Sequence, residues 1–135
     1  GHGGNSFKNM IRDLSVDFPD FLIAITNWYG IVPQEGYFEN KDDHAGELET
    51  SVMMYYHPEL VNLEEAGEGT SKPFALSSLN AQIAWLPRYW SKVSADTGIG
   101  DPRKSTPEKG ERYAKAVIEK LALLFTEIGS KEVYL

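Results

Sequence analysis

Apolar positions along this chain recur with a helical period in three segments and run unbroken in a fourth. Phe7, Met10, Ile11 and Leu14 keep a three-and-four spacing, which predicts an amphipathic helix over 6–14 with Asn5 or Ser6 as its N-cap. Phe21, Leu22, Ile23, Ala24 and Ile25 form a continuous apolar run of strand length, which predicts a strand buried on both faces. Leu48, Val52, Tyr55 and Tyr56 predict a helix over 46–57 that Pro58 ends. Tyr113, Val117, Leu121, Leu124 and Ile128 mark the buried stripe of a last helix over 107–128. Thr106-Pro107, or Ser105 with Glu108 three residues on, supplies its N-terminal signal.

Between these segments the pattern breaks down. Gly30, Pro33 and Gly36 interrupt 28–43, which reads as a long loop at the carboxyl end of a strand, where open α/β sheets place function. The stretch 63–73 is polar and reads as a surface connection, 74–90 mixes apolar residues without a clean period, and 96–104 is again a loop. A glycine-rich turn, a helix and a buried strand in that order predict an α/β fold, a mainly parallel sheet flanked by helices.

Composition narrows the function classes. The chain has 135 residues, 41% of them hydrophobic, which suits one domain with a real core. Its net charge of -7 argues against nucleic acid, since Arg103, Lys104 and Lys109 are interleaved with Asp101, Glu108 and Glu111 and make no basic patch. The absence of cysteine excludes disulfides, thiolate nucleophiles and Cys-type zinc sites, so any metal must sit on His and carboxylate ligands. Apolar runs such as 21–25 and 121–125 fall far short of the ~20 residues that cross a bilayer, and no secretory signal opens the chain. The expectation is a soluble, cytoplasmic protein with no membrane partner.

Two clusters can carry chemistry. Gly1-His2-Gly3-Gly4-Asn5 puts an imidazole among small residues ahead of a helix, where free backbone N–H groups suit a phosphate or a developing oxyanion. Asp42-Asp43-His44-Ala45-Gly46-Glu47-Leu48-Glu49 packs four carboxylates and an imidazole at a loop-to-helix junction, a donor set for a hard metal. Ordinary structural roles compete with both: the helix dipole favours acids in a first turn, and a histidine in a turn is often only exposed. Glu47 and Glu49 lie about 200° apart around a helix, so one pocket beside His44 is reached directly by only one of them.

Taken together the clusters resemble the creatininase family, whose members carry N-G-H-x-x-N after a strand, an aromatic-bearing loop, H-x-G-x-x-E-T-S opening a helix, and G-x-P before E-K-G. The counterparts are Gly1-His2-Gly3-Gly4-Asn5, Trp28, His44-Ala45-Gly46-Glu47-Leu48-Glu49-Thr50-Ser51, and Gly100-Asp101-Pro102 leading to Glu108-Lys109-Gly110. The resemblance implies that residues 1–135 are the C-terminal part of one metallohydrolase domain, the later half of its sheet. It implies hydrolysis of a non-peptide, cyclic or formyl-type amide C–N bond in a small molecule by a metal-activated water. His2 would be a metal ligand, His44 the catalytic imidazole, and Trp28 a wall of the pocket.

The same resemblance implies two divalent ions per complete site, zinc, manganese or iron, and a homo-oligomer. Creatinine-cleaving members have a metal-binding Glu where this chain has Gly4, which makes Glu47 the first candidate for the replacement ligand and Glu49 the second. An E-x-H segment and a bridging Asp lie upstream of N-G-H in the family, so a further N-terminal segment is expected to supply the remaining ligands. The rival readings are a phosphate- or nucleotide-binding module built on the glycine turn, and an inactive family relative used for assembly.

Overall fold

The structure is a computed structural model that describes residues 6–134. Its helices are α1 (Lys8–Asp17), α2 (Glu47–Tyr56), α3 (Ser77–Asn80), α4 (Trp90–Val93) and α5 (Pro107–Ser130). Tight 3-10 turns cover Trp28–Gly30, Pro58–Leu60, Leu63–Glu65 and Pro102–Lys104. Two compact units divide the chain, one of Gly1–Pro33 with Val117–Leu135 and the other of Gln34–Ala116.

The mainly parallel sheet expected from the sequence is not found. Among the described residues the only extended pairings are isolated bridges, Glu35 with Phe38, His44 with Ile99 and Ser71 with Ser94. The run Phe21–Ile25 is not a strand, and Phe21, Leu22 and Ile25 are 70%, 54% and 36% exposed. A strand exists only where a neighbour lies within 4.7–4.9 Å to accept its hydrogen bonds, and an apolar run specifies avoidance of water but no partner. Among the described residues no bridge pairs 21–27 with another segment.

Within the first unit, α1 starts two residues later than the pattern predicts. Its N-cap is Phe7, which makes no side-chain cap, so Ser6 does not cap it and Asn5 lies outside the described residues. The helix ends where the Phe18 N–H bonds Leu14 O at 2.9 Å, and the Phe18 ring meets Phe21 edge-on at 6.3 Å. Of its expected stripe, Ile11 and Leu14 are half-buried and Phe7 and Met10 exposed. The α5 stripe behaves similarly: Tyr113 and Val117 are buried, while Leu124 and Ile128 stay open to solvent.

The second unit is knit more tightly. Thr106 caps α5 as expected, its Oγ accepting the Lys109 N–H at 3.2 Å, with Pro107 supplying a first helical position that needs no donor. Tyr113 projects from that helix into full burial against Tyr37 and Phe38, at centroid separations of 5.4 and 5.2 Å. Gly110 lets the helix come against α2: a Cβ there would stand 2.0 Å from Ser51 O. The loops 66–71 and 94–102 close over one another through glycine, since a Cβ on Gly69 would meet Gly100 O at 1.9 Å. Both residues take positive φ, +59° and +126°, which glycine adopts at no steric cost. The stretch 63–73, expected as a plain surface connection, is thus partly built in.

Candidate functional site

The acidic cluster before α2 resolves into separate employments. Asp42 is buried and caps the helix from outside, its two oxygens accepting the N–H groups of Gly46 at 3.1 Å and Glu49 at 3.0 Å. Burial pushes its carboxyl above the ordinary range, against the pull of those N–H groups. Gly46 is required at that place because a Cβ would lie 2.7 Å from Asp42 Oδ1. Asp43 turns the other way, into a two-pronged pair with Arg88 at 2.8 and 2.6 Å.

Glu47 points into the core with no exposed surface. One of its oxygens accepts the N–H groups of Glu39 and Asn40 at 3.0 and 2.7 Å, and the other pairs with Lys109 Nζ at 2.5 Å. This carboxylate is already neutralised and hydrogen-bonded, the condition under which a buried charge is tolerated. It anchors α5 and the 39–40 turn to α2.

Glu49 takes the opposite face of α2, as the angular spacing requires. Its Oε2 accepts the Ala45 N–H at 2.7 Å and lies 3.8 Å from His44 Nδ1, with the two side chains 32% and 34% exposed. The His44 backbone is held by its bridge to Ile99, with N···O separations of 2.9 and 2.8 Å in the two directions. Between His44 and Gly46 the chain bends through Ala45 at φ +51°, an uncommon conformation outside glycine. The bend is fixed by the Glu49 carboxylate on its N–H. Glu49 also lines a cavity of about 410 Å³ within the second unit, walled by Met53, Leu60, Leu63 and Pro102 and bordered by Asp96.

The sequence thus brings His44 and Glu49 together and sends Glu47 elsewhere. Trp28 lies in the first unit, half-buried in the 28–30 turn with its ring edge-on to Tyr29 at 6.0 Å. His2 and Gly4 lie outside the described residues. Among the described residues no group of three or more His, Asp or Glu side chains can hold a metal ion. Glu49 alone of the cluster keeps an oxygen without a hydrogen bond given to it, so the described residues do not by themselves fit a metal.

Sequence reasoning missed Trp90, whose ring stands 4.8 Å from that of His44 at an interplanar angle of 52°. It lies at the end of the stretch without a period, where pattern says nothing of contacts. It also missed Lys109 as the partner of Glu47.

The motif order has a global counterpart. A family model described as Creatininase, creatinine amidohydrolase, matches residues 1–125. The chain belongs to the creatininase family. A curated relative from Mycobacterium ulcerans (strain Agy99), the mycofactocin precursor peptide peptidase, is 28% identical over 123 residues, covering 88% of this chain and 43% of its own length. A solved structure of a provisionally named creatinine amidohydrolase from Bacteroides fragilis NCTC 9343 is 61% identical, with a TM-score of 0.95 over 99% of this chain and 53% of that one. Solved creatinine amidohydrolase (creatininase) is 18% identical and shares the fold, with a TM-score of 0.68 over 93% of this chain and 50% of that one. This creatininase-family chain therefore spans about half the length of the relatives it matches. No helix among the described residues is long and apolar enough to cross a membrane.

Proposed function

We propose that this chain carries the proton-handling half of an amidohydrolase site that cleaves a non-peptide amide C–N bond of a small molecule. The observation that carries the reading is the held pair at the start of α2: Glu49, pinned by the Ala45 N–H, stands 3.8 Å from His44 Nδ1. An imidazole so placed has a carboxylate beside one ring nitrogen and a second ring nitrogen with which to move a proton, the arrangement general acid catalysis at a leaving nitrogen requires. Glu49 is the positioning residue and His44 the catalytic residue. Family membership supports hydrolysis as the reaction class.

The reading includes divalent metal ions, two per complete site, with His2 among their ligands and Trp28 as a wall of the pocket. When bound, such an ion lowers the pKa of its water and polarises the carbonyl. Zinc, manganese and iron all suit a donor set of imidazole and carboxylate. A solved mutant creatininase of Zn-Zn type, 21% identical with a TM-score of 0.66, supports zinc as the first metal to try. Cytoplasmic location and a homo-oligomer complete the reading.

The test uses the intact protein loaded with zinc or manganese and three probes, creatinine, a simple N-formyl amine and a short peptide. His44→Ala is expected to cost about 10²–10⁴ in turnover on the cleaved probe while metal content stays unchanged. Full turnover in that variant would remove His44 from the chemistry. His2→Ala is expected to lose metal, and full occupancy would remove it from the ligand set. Thermal stabilisation by inorganic phosphate in metal-free protein, with no probe cleaved, would favour the phosphate-binding reading instead.

A further inference from the structure

The backbone of His44 is fixed by Ile99, and rotation about the last bond to a planar ring is broad, so the groups beside the ring, Glu49 at 3.8 Å among them, choose its plane. Among the described residues the ring beside it is that of Trp90, 4.8 Å away by centroids. Trp90 is itself held. The guanidinium of Arg88 stands 5.8 Å over its ring, and the same guanidinium grips Asp43 with both terminal nitrogens, at 2.8 and 2.6 Å. Asp43 and His44 are consecutive, and their N–H groups both bond Ile99 O, at 3.0 and 2.9 Å. The chain of contacts thus closes on itself, from Asp43 through Arg88 and Trp90 back to His44.

Local backbone explains how the clamp is built. Tyr89 is extended, at φ −88° and ψ 93°, so Arg88 and Trp90 leave the chain on the same side. Trp85 and Tyr89 of the same segment remain 84% and 70% exposed, while Trp90 is turned in over the imidazole. Stability gives little reason for the arrangement, since the Arg88–Asp43 pair is 37% and 46% exposed and such exposed pairs add little to folding.

We propose that Trp90, held by Arg88 and Asp43, is a positioning residue that sets the plane of the His44 imidazole, making 88–90 part of the reacting site. This rests on the reading of His44 as the proton-moving group. The geometric claim is separable from it and can be read without turnover.

The experiment is side-chain NMR on intact protein carrying ¹³C-labelled histidine, the His44 signals being identified by their loss in His44→Ala. Trp90 lying over the ring displaces those signals. Trp90→Ala is expected to abolish the displacement and Trp90→Phe to keep most of it. Arg88→Ala is expected to move His44 toward the Trp90→Ala position although Trp90 is still present, with Arg88→Lys also displaced because it lacks the two-pronged grip. His57, which pairs with Glu59 at 3.3 Å, serves as the control and should not move. On whichever of creatinine, the N-formyl amine or the short peptide is cleaved, Trp90→Ala and Arg88→Ala should lower kcat by about ten- to a hundredfold and leave KM little changed, while Trp90→Phe keeps most of the turnover. His44 signals unmoved in Arg88→Ala would overturn the proposal, as would unchanged kcat in Trp90→Ala. Full turnover in His44→Ala would instead defeat the functional reading while the NMR result still decides the geometry.

Discussion

The two units of this chain are assembled by different means. In Gln34–Ala116 the contacts that matter are short and specific: carboxylates on backbone N–H groups, a buried Glu47–Lys109 pair, and glycines at Gly69 and Gly110 where any side chain would collide with main chain. In Gly1–Pro33 with Val117–Leu135 many apolar side chains of the described residues are left in water, among them Phe21, Leu22, Val16, Leu123 and Phe125. Contacts of the first kind specify one arrangement, because a buried polar group or a glycine against a carbonyl has few satisfactory geometries. Apolar surface specifies burial without specifying a partner. The family's H-x-G-x-x-E-T-S and E-K-G motifs both fall in Gln34–Ala116, and much of their content is structural. Gly46 makes room for Asp42, Ser51 meets Gly110, and Lys109 meets Glu47.

The sharpest way to break this comparison is Gly110→Ala. Its new Cβ would stand 2.0 Å from Ser51 O and 2.4 Å from Ser51 C, so α2 and α5 must part. A loss of about 3 kcal/mol or more is expected, above the usual overpacking range because the obstacle is main chain. Denaturant unfolding measures it, and a loss below ~1 kcal/mol would show that the helices separate freely.

Next is Glu47→Gln against Glu49→Gln. Removing the charge of Glu47 leaves Lys109 facing an amide in a fully buried setting, and a cost of about 2–3 kcal/mol is expected, reduced from the full value because Lys109 reaches water. Glu49 is one-third exposed and gives up one backbone bond, so its variant should stay within ~1 kcal/mol of the parent while losing turnover. Comparable stability for the two variants would erase the distinction between anchor and positioning residue.

These pairs also mark what could be read in the sequence. The α2 and α5 helices were legible because their signals are local: Pro58 behind one, Thr106-Pro107 ahead of the other. That only one of Glu47 and Glu49 reaches His44 was legible from helix geometry alone. Which one was not, because Lys109 lies 62 residues from Glu47 and periodicity carries no information about contacts at that range. The strand expected at Phe21–Ile25 failed for the same reason, an apolar run being silent about its partner. Trp90 was hidden because its only local cue is an alternation with Arg88 two residues away, inside a stretch that matches no period.

A smaller effect distinguishes the units by pH. Arg103, bonded to Asp101 at 2.9 and 2.7 Å, together with its own N–H at 3.0 Å, lowers the Asp101 carboxyl from 3.8 to about 2. A depressed folded pKa contributes stability that is fully present above pH 3.8 and lost as pH falls toward 2. Glu39, Asp96 and Glu108, in the same unit, are also lowered and act in the same direction, while Asp42, raised by burial, opposes them. Asp101→Asn should therefore make the acid loss of Gln34–Ala116 shallower, followed through amide signals of that unit between pH 5 and 2. An unchanged acid profile would show that the exposed pair is screened to nothing.

The smallest expected effect is the most direct comparison, because it places the same substitution in the same helix. Gly129 lies one residue before the end of α5, and a Cβ built there meets nothing within 4 Å. Alanine is favoured over glycine in a helix interior by about 1 kcal/mol, and this close to a fraying end roughly half of that should remain. Gly129→Ala is thus expected to stabilise by about 0.5 kcal/mol, partly by restricting the unfolded chain, where Gly110→Ala destabilises several times as much. The opposite signs follow from surroundings and not from the helix, which is common to both. Thermal or denaturant unfolding of the two variants side by side decides it. A destabilised Gly129→Ala would mean that the end of α5 is packed against something in the intact protein, so that the apolar surface around Leu124 and Ile128 is covered there.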